Sequence, residues 1–323
     1  MKYTVLGRTG LQVSRIAFGT WQLGGDWGPT DEAAATAAIR RAADQGVTLF
    51  DTAQAYGFGA SERLLGTAIT GLDRSSLVIA TKGGLRPGKL GGGNRDSSPA
   101  WIRAGVEASL RALGTDYIDL YQVHRPDPAI PFADTAGALA KLVADGKIRH
   151  VGVSNFDAAQ LAEFSATLPV ESLQPPYHLF RRDIETEVLP YAAAHNIGVL
   201  VYGPLAHGLL TGHLSADTKF PPGDWRSRSD MFTGAGFQRN LRAVAELDRL
   251  AHDELGASVD QLATAWTLAN PAVHVAIVGT RQAGHVDAAI AAADLQLDPG
   301  TLAAIDEIVR SSQDPTGPSA DSA

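Results

Sequence analysis

The chain has 323 residues, of which 45% are hydrophobic and 19% are charged, and its formal net charge is −8. This composition is typical of a globular protein with a large core, and the negative charge argues against binding to nucleic acid or to an anionic membrane. Because the sequence contains no cysteine, disulfides, thiolate metal sites and cysteine nucleophiles are excluded. The amino terminus lacks the apolar core of a signal peptide, and no apolar run reaches the roughly 18 residues of a membrane span. We therefore expect a cytoplasmic protein.

Strand and helix patterns alternate along the chain after a short β-hairpin that is predicted over residues 3–14. Strands are predicted at residues 16–20, 47–52, 77–82, 118–124, 148–154, 171–175, 198–202 and 274–279. Helices are predicted at residues 31–45, 60–70, 99–113, 132–145, 157–166, 186–195, 239–269 and 282–293. Eight strands, each followed by a helix, are the number that closes a (β/α)8 TIM barrel. We predict a single α/β barrel over residues 1–310 and a disordered tail over residues 311–323.

The competing α/β architecture is an open, doubly wound sheet, which binds dinucleotides through a glycine fingerprint after its first strand. Here the first predicted strand continues as Gly19-Thr-Trp-Gln-Leu-Gly-Gly, which lacks the spacing of that fingerprint. Two loops, over residues 83–98 and 206–237, are longer than ordinary α/β connections. Both follow strands, so we place them at the carboxyl-terminal face of the barrel, where active sites are built.

Four polar side chains follow the apolar runs of successive predicted strands. Asp51 ends one strand and Tyr56 follows five residues later, Lys82 ends the next strand, and His124 ends the one after it. In a barrel these strand ends converge on one pocket. A tyrosine with a pKa near 10 is a weak acid at neutral pH, and a lysine ammonium within about 4–6 Å lowers that pKa by roughly 1–3 units.

This set of side chains suggests the reduction of a carbonyl group. Asp51 is expected to pair with Lys82, Tyr56 to protonate the carbonyl oxygen, and His124 to orient that oxygen by a hydrogen bond. A hydride donor is also required, and since no side chain can supply a hydride, a nicotinamide cofactor is implied.

The remaining strand ends carry groups that suit such a cofactor. Ser154, Asn155 and Gln174 are candidates for the nicotinamide carboxamide, and the Tyr202 ring is a candidate for stacking on the nicotinamide. The helix after the last strand offers its amino terminus and Arg281 to a phosphate. The complete predicted cofactor set is Gly19, Thr20, Trp21, Asp51, Ser154, Asn155, Gln174, Tyr202, Gly203, Pro204, Leu205, Gly208, Leu210, Arg226, Gly279, Thr280, Arg281 and His285. Predicted substrate contacts are Trp21, Tyr56 and His124, with Trp27, Phe58 and Trp225 as further aromatic candidates. No metal site is predicted.

From Tyr3 to about Ile308 the chain resembles the aldo-keto reductase superfamily. The resemblance is carried by Asp51-Thr-Ala-x-x-Tyr56-Gly, Thr81-Lys82, Gln122-Val-His124, Gly152-Val-Ser154-Asn155-Phe, Gln174, and Tyr202-Gly-Pro-Leu205 with Gly208-Leu-Leu-Thr-Gly212. It implies a (β/α)8 barrel, a tetrad at positions 51, 56, 82 and 124, and NADPH or NADP+ as cofactor. The segment His124-Arg-Pro-Asp is similar to the corresponding segment in the bacterial general-reductase branches of the family. On the last helix, family members often carry Glu and Asn for the adenine, where this chain has Ala288 and Ala289.

Other functions remain open at this stage. The same family resemblance includes the regulatory β subunits of potassium channels, and a sugar or alcohol dehydrogenase would run the reaction in the oxidative direction. A barrel hydrolase that uses Asp51 and His124 would leave Tyr56 and Lys82 without a role. The expected partner is a small carbonyl or alcohol substrate, and the sequence does not specify an oligomeric state.

Overall fold

A short antiparallel hairpin precedes the main fold, as the sequence predicts. The computed structural model describes residues 1–25, 28–87, 94–221 and 224–312. In it, β1 (Tyr3–Val5) pairs with β2 (Gln12–Ser14), with Tyr3 opposite Ser14. Gly10 takes a left-handed conformation in the connecting turn, with a φ of 71°.

The predicted barrel is confirmed. Its strands are β3 (Ile16–Gly19), β4 (Leu49–Asp51), β5 (Val78–Gly83), β6 (Ile118–Val123), β7 (Ile148–Ser154), β8 (Ser172–Gln174), β9 (Gly198–Tyr202) and β10 (Val275–Gly279). They pair in parallel in chain order, and β10 pairs with both β9 and β3, which closes the sheet on itself. All eight carboxyl ends therefore open at one end of the barrel.

The helices between the strands pack around the outside of the barrel. They are α1 (Glu32–Asp44), α2 (Ala60–Ala68), α3 (Pro99–Leu113), α4 (Phe132–Ala144), α5 (Ala158–Ser165), α6 (Val188–Ala194), α7 (Gly234–Leu255), α8 (Val259–Ala269), α9 (Ala283–Ala292) and α10 (Pro299–Ser312). In the parts of the chain that the structure describes, none of the helices combines the length and the apolar character needed to cross a membrane.

Two helix predictions are wrong. The single helix expected over residues 239–269 is two helices, because Gly256 adopts a left-handed conformation after α7 and Ser258 begins α8 with a capping box to Gln261. Helix α10 has no counterpart among the predicted helices, and it includes Ser311 and Ser312, which the sequence assigns to a disordered tail. The other tail residues, 313–323, lie outside the described residues.

The amino-terminal hairpin closes the end of the barrel that faces away from the strand carboxyl ends. Leu6 and Val13 are fully buried in one apolar cluster with barrel-interior residues such as Leu49, Leu120 and Leu200. A Cβ added at Gly198 would lie 2.6 Å from Cγ of Leu6, so the hairpin meets β9 at a glycine. Since this end is filled with apolar side chains, a polar site can open only at the opposite end.

Candidate active site

Asp51 and Lys82 form a buried ion pair at the open end of the barrel. Asp51 is the last residue of β4, and Lys82 lies near the end of the neighbouring β5. The Nζ atom of Lys82 donates to Oδ2 of Asp51 at 2.7 Å and to the carbonyl oxygen of Thr52 at 2.9 Å. The Lys82 side chain is 1% exposed and the Asp51 side chain 4%, so the expected pairing takes place out of water. Each charge is stabilised mainly by the other.

Tyr56 lies in the turn between β4 and α2, with its hydroxyl beside the same ammonium group. Lys82 Nζ is 3.3 Å from the Tyr56 hydroxyl oxygen and 5.0 Å from the centre of its ring. Burial raises the pKa of the Tyr56 phenol, the Lys82 charge lowers it, and the Asp51 charge raises it again, with a net pKa above 10. The lysine charge therefore acts in the predicted direction, but burial outweighs it and the pKa of Tyr56 lies above its ordinary value.

The hydrogen bonds of the ion pair extend to two further strands. Burial lowers the pKa of Lys82, but the Asp51 charge and the hydrogen bonds to Asp51 and Tyr56 outweigh this effect and raise the pKa above its ordinary value. The second carboxylate oxygen of Asp51 accepts from Nε2 of Gln174 at 2.8 Å, and Gln174 also approaches Oε1 of Gln122 at 3.3 Å. A charged Lys82 is thus held in a network that spans β4, β5, β6 and β8.

His124 directly follows β6 and meets Tyr56 edge-on. The two ring centroids are 5.9 Å apart with an interplanar angle of 85°. Burial, followed by the positive charges of Lys82 and Arg125, holds the pKa of His124 well below 6.5, so its imidazole is neutral. Its Nδ1 atom is buried and has no hydrogen-bond partner among the residues that the structure describes. A neutral imidazole beside a phenol offers a second polar contact for a substrate oxygen.

The predicted carboxamide contacts lie on the neighbouring strand ends, where they bond to one another. The Asn155 amide nitrogen donates to the carbonyl oxygen of His124 and to Oγ of Ser154, both at 3.0 Å. The Ser154 hydroxyl donates to the carbonyl oxygen of Gln174 at 2.8 Å. Tyr202 donates its hydroxyl hydrogen to Oδ1 of Asn155 at 2.9 Å. The network fixes the partly exposed Tyr202 ring relative to His124.

The segment after β3 brings an aromatic side chain over the phenol. Trp21 stacks on Tyr56, with ring centroids 6.3 Å apart and an interplanar angle of 28°. Gly19 ends β3, and the Thr20 hydroxyl accepts a hydrogen bond from Ser61 at 2.7 Å. Of the other aromatic candidates, Trp225 lies in the long loop after β9, and Trp27 lies outside the described residues.

The loop after β9 carries the residues predicted to approach a pyrophosphate. Gly203 and Gly208 have left-handed backbones, with φ values of 69° and 101°, while Pro204 and Leu210 are buried and Leu205 is partly exposed. The Arg226 guanidinium reaches back from the same long loop to the His207 carbonyl oxygen at 3.2 Å and pairs with Asp224 at 2.7 Å. Arg226 therefore ties the start of this loop to its middle.

The segment after β10 differs slightly from its predicted form. Helix α9 begins at Ala283, so Arg281 precedes the helix instead of forming its first turn, and both Arg281 and His285 are exposed. The Thr280 hydroxyl accepts from the backbone N–H of Gln282 at 3.0 Å and lies 3.3 Å from Nδ1 of His285. Two exposed cationic or ionisable side chains thus flank the start of α9, after Gly279 ends β10.

These residues fit a nicotinamide dinucleotide. Left-handed glycines after β9 leave room for backbone N–H groups to approach an anion, a partly exposed tyrosine ring lies at the end of β9, and basic side chains flank α9. Within the described residues, no group of three or more His, Asp and Glu side chains is arranged to hold a metal ion.

Some residues of the site were not assigned a role from the sequence. Thr52 contributes a backbone carbonyl oxygen, which no sequence pattern reveals. Gln122 was noted only as part of a motif, although its position near a strand end is the same signal that identified Gln174. His178 and His207, which follow β8 and β9, also lie beside the site.

A closed barrel of eight parallel strands, with a buried Asp–Lys pair, a tyrosine and a histidine at the strand carboxyl ends, defines the class of barrel oxidoreductases. Residues 15–310 match the model of the Aldo/keto reductase family, and the chain belongs to that family. The resemblance noted in the sequence is confirmed.

Similar proteins span almost the whole chain. Aldo-keto reductase YhdN of Bacillus subtilis is 43% identical, covering 98% of this chain and 97% of the relative. The structure of the glycerol dehydrogenase AKR11B4 from Gluconobacter oxydans superposes with a TM-score of 0.86 at 40% identity, covering 95% of this chain and 96% of that one.

Two more distant relatives have names that bear on cofactor and role. Aldo-keto reductase yakc [NADP(+)] of Schizosaccharomyces pombe is 33% identical over 91% of this chain and 88% of the relative. A probable voltage-gated potassium channel subunit beta of Arabidopsis thaliana is also 33% identical, over 96% of this chain and 97% of the relative.

Proposed function

We propose that the protein is an NADP(H)-dependent oxidoreductase that reduces aldehydes or ketones to alcohols, with Tyr56 as the proton donor. The observation that carries this proposal is the Lys82 ammonium, which is buried between the Asp51 carboxylate at 2.7 Å and the Tyr56 hydroxyl at 3.3 Å. An ion pair placed this way is costly as a purely structural element, because both charges leave water. The ion pair has a catalytic role if the phenol develops negative charge during the reaction, because the Lys82 ammonium then stabilises that charge.

The residues divide the work of carbonyl reduction between them. A bound nicotinamide cofactor would supply the hydride. Tyr56 transfers its proton to the carbonyl oxygen, and Lys82 stabilises the phenolate that forms. The neutral His124, edge-on to Tyr56, donates a hydrogen bond that orients the same oxygen. Asp51 keeps Lys82 fixed in position, and its negative charge favours the charged form of Lys82 by raising the pKa of the ammonium.

The choice of NADP(H) is supported by the segment around α9 and by one relative. Arg281 and His285 are exposed beside the start of that helix, where a cation and the amino terminus of a helix favour a phosphate. The fission yeast relative carries NADP(+) in its name. Ser154, Asn155, Gln174 and Tyr202 are proposed to hold the nicotinamide end.

Tyr56→Phe tests the proposal directly, because it removes the proton donor and keeps the ring. We expect kcat for a small aldehyde to fall by about 10²–10⁴-fold, the usual contribution of general acid catalysis, with little change in the Kd for NADPH. Tyr121→Phe is the matched control, since the Tyr121 hydroxyl is buried without a partner among the described residues and lies outside the site. Activity of Tyr56→Phe within tenfold of the unmodified protein would contradict the assignment.

The reverse reaction, oxidation of an alcohol, is the second candidate, and the similarity to a glycerol dehydrogenase favours it. The same groups serve both directions, because Tyr56 would accept the proton that it donates in reduction. Comparing initial rates with NADPH and aldehyde against NADP+ and alcohol at one pH would rank the two directions. A regulatory role like that of a channel subunit would instead give negligible turnover in both assays.

A further inference from the structure

Two histidines without a role in the proposed mechanism lie beside the candidate active site. The His207 ring meets the Trp21 ring edge-on, with centroids 6.0 Å apart at 84°, and Trp21 in turn stacks on Tyr56. On its other side, His207 meets the ring of His178 at 6.4 Å and 79°. An unbroken row of ring contacts therefore leads from the proposed proton donor to this histidine pair.

The His207 ring lies at the open end of the barrel, next to the end of β9. A Cβ added at Gly203 would be 3.9 Å from Cε1 of His207, and the ring of Trp225 is 4.9 Å away at 87°. The rings of Trp21 and Trp225 thus both meet the His207 imidazole edge-on. Partly exposed aromatic rings interleaved with polar ring nitrogens are suited to a ligand that has both C–H faces and hydroxyl groups.

His178 presents a buried hydrogen-bond donor that no described residue uses. The side chain is 1% exposed, and its Nδ1 atom accepts a hydrogen bond from the backbone N–H of Phe180 at 3.2 Å. In the neutral ring the hydrogen must then be on Nε2, which has no partner among the described residues. An unsatisfied buried donor is unfavourable for folding and so calls for an explanation, such as a ligand that satisfies it.

Both histidines are neutral at physiological pH. Burial and the charges of Arg181 and Arg226 lower the pKa of His207 to about 4. Burial, followed by His207 and Arg181, holds the pKa of His178 well below 6.5. A neutral imidazole has one donor and one acceptor, which match a hydroxyl group, whereas a protonated pair would favour a carboxylate.

The backbone at His207 is held in an uncommon conformation. Ala206 and His207 have left-handed φ values of 47° and 55°, which are unfavourable for residues with a Cβ. The Arg226 guanidinium binds the His207 carbonyl oxygen at 3.2 Å, and Asp224 holds Arg226 in turn. Because the surrounding loop maintains this conformation, the position of the His207 ring is fixed before a substrate arrives.

We propose that His207, supported by His178, is a specificity-determining residue that binds a hydroxyl group of the substrate. The preferred substrates are then hydroxylated aldehydes or ketones, or the corresponding polyols in the oxidative direction. This inference rests on the proposed function, since it concerns the same active site. The two histidines lie on the loops after β8 and β9, and His207 contacts Trp21.

The test uses two three-carbon aldehydes that differ only in hydroxyl groups, glyceraldehyde and propanal. The variant His207→Phe keeps an aromatic ring and removes both nitrogens. In this variant the ratio of kcat/KM for glyceraldehyde to kcat/KM for propanal is expected to fall about tenfold, which corresponds to one lost hydrogen bond. His207→Gln, which restores a donor and an acceptor, is expected to recover part of that ratio. His252→Phe, on the exposed face of α7, is the matched control.

Each outcome of this test has a distinct meaning. If His207→Phe lowers kcat/KM equally for both aldehydes, or raises the Kd for NADPH by the same factor, His207 serves the cofactor or the fold and the inference is wrong. An unchanged ratio also overturns it. If the unmodified protein reduces neither aldehyde while binding NADPH, the proposed function is wrong, and the inference that rests on it is overturned with it.

Discussion

Replacing Lys82 by methionine tests how much the buried ion pair contributes to stability. Lys82→Met keeps the length of the side chain and removes the ammonium, so Oδ2 of Asp51 loses its partner at 2.7 Å. Within the described residues, the carboxylate, 4% exposed, then keeps the Gln174 amide at 2.8 Å on its other oxygen. A buried charge stranded in this way costs about 3–5 kcal/mol of the free energy of unfolding. For a chain of 323 residues this corresponds to a loss of about 4–7 °C in Tm.

The assay is thermal unfolding, followed by circular dichroism, of Lys82→Met and of the double variant Asp51→Asn/Lys82→Met. We expect the double variant to recover more than half of the lost stability, because the stranded charge is then gone. Lys141→Met is the control, since Lys141 pairs with Asp145 at 3.0 Å on the surface, with exposures of 67% and 40%, and such pairs contribute at most about 1 kcal/mol. A double variant no more stable than Lys82→Met, or a Lys82→Met no less stable than Lys141→Met, would refute the reasoning.

Three further predictions concern the pH dependence, the cofactor and the packing behind the site. Reduction needs Tyr56 protonated, so kcat/KM should fall only on the alkaline side of the pH profile. Because the Lys82 charge lowers the pKa of Tyr56, Lys82→Met should lose most activity, and the alkaline fall of its residual activity should move to higher pH. An alkaline fall that stays at the same pH would show that Lys82 does not tune the phenol. Arg281→Ala should raise the Kd for NADPH about tenfold or more, as expected for one charge-assisted contact, with little effect on the Kd for NADH. If a fluorescence titration shows the same rise in Kd for both cofactors, Arg281 does not recognise the phosphate. Gly83→Ala should lower the free energy of unfolding in urea by about 1–3 kcal/mol, since the new Cβ would lie 1.9 Å from the Tyr121 hydroxyl oxygen. An unchanged free energy of unfolding would mean that Tyr121 moves aside without cost.

The strand-end residues could be predicted because their positions follow from periodicity and topology alone. A residue that ends an apolar run, such as Asp51 or Lys82, is placed at the carboxyl end of its strand by the pattern itself. Once eight strand–helix units are counted, barrel closure brings those ends together. The pairing of Asp51 with Lys82 then follows from their places on adjacent strands.

Other features could not be predicted because they depend on how the chain packs. The net pKa of Tyr56 is set by burial, which sequence spacing does not reveal. The left-handed backbone at Ala206 and His207 is equally invisible, because alanine rarely adopts it and histidine adopts it in only a minority of cases. The break between α7 and α8 is different, because Gly256 and the Ser258–Gln261 capping box are readable signals that the long helical pattern obscured.

The three contacts of the Lys82 ammonium determine where the hydrogen of the Tyr56 hydroxyl can lie. An ammonium group has three N–H bonds, and the acceptors are Oδ2 of Asp51, the Thr52 carbonyl oxygen and the Tyr56 oxygen. Tyr56 must therefore accept from Lys82, so its own hydrogen is directed away from the lysine. An incoming carbonyl oxygen would meet a donor whose direction is already set, and this reduces the reorganisation needed at the moment of proton transfer.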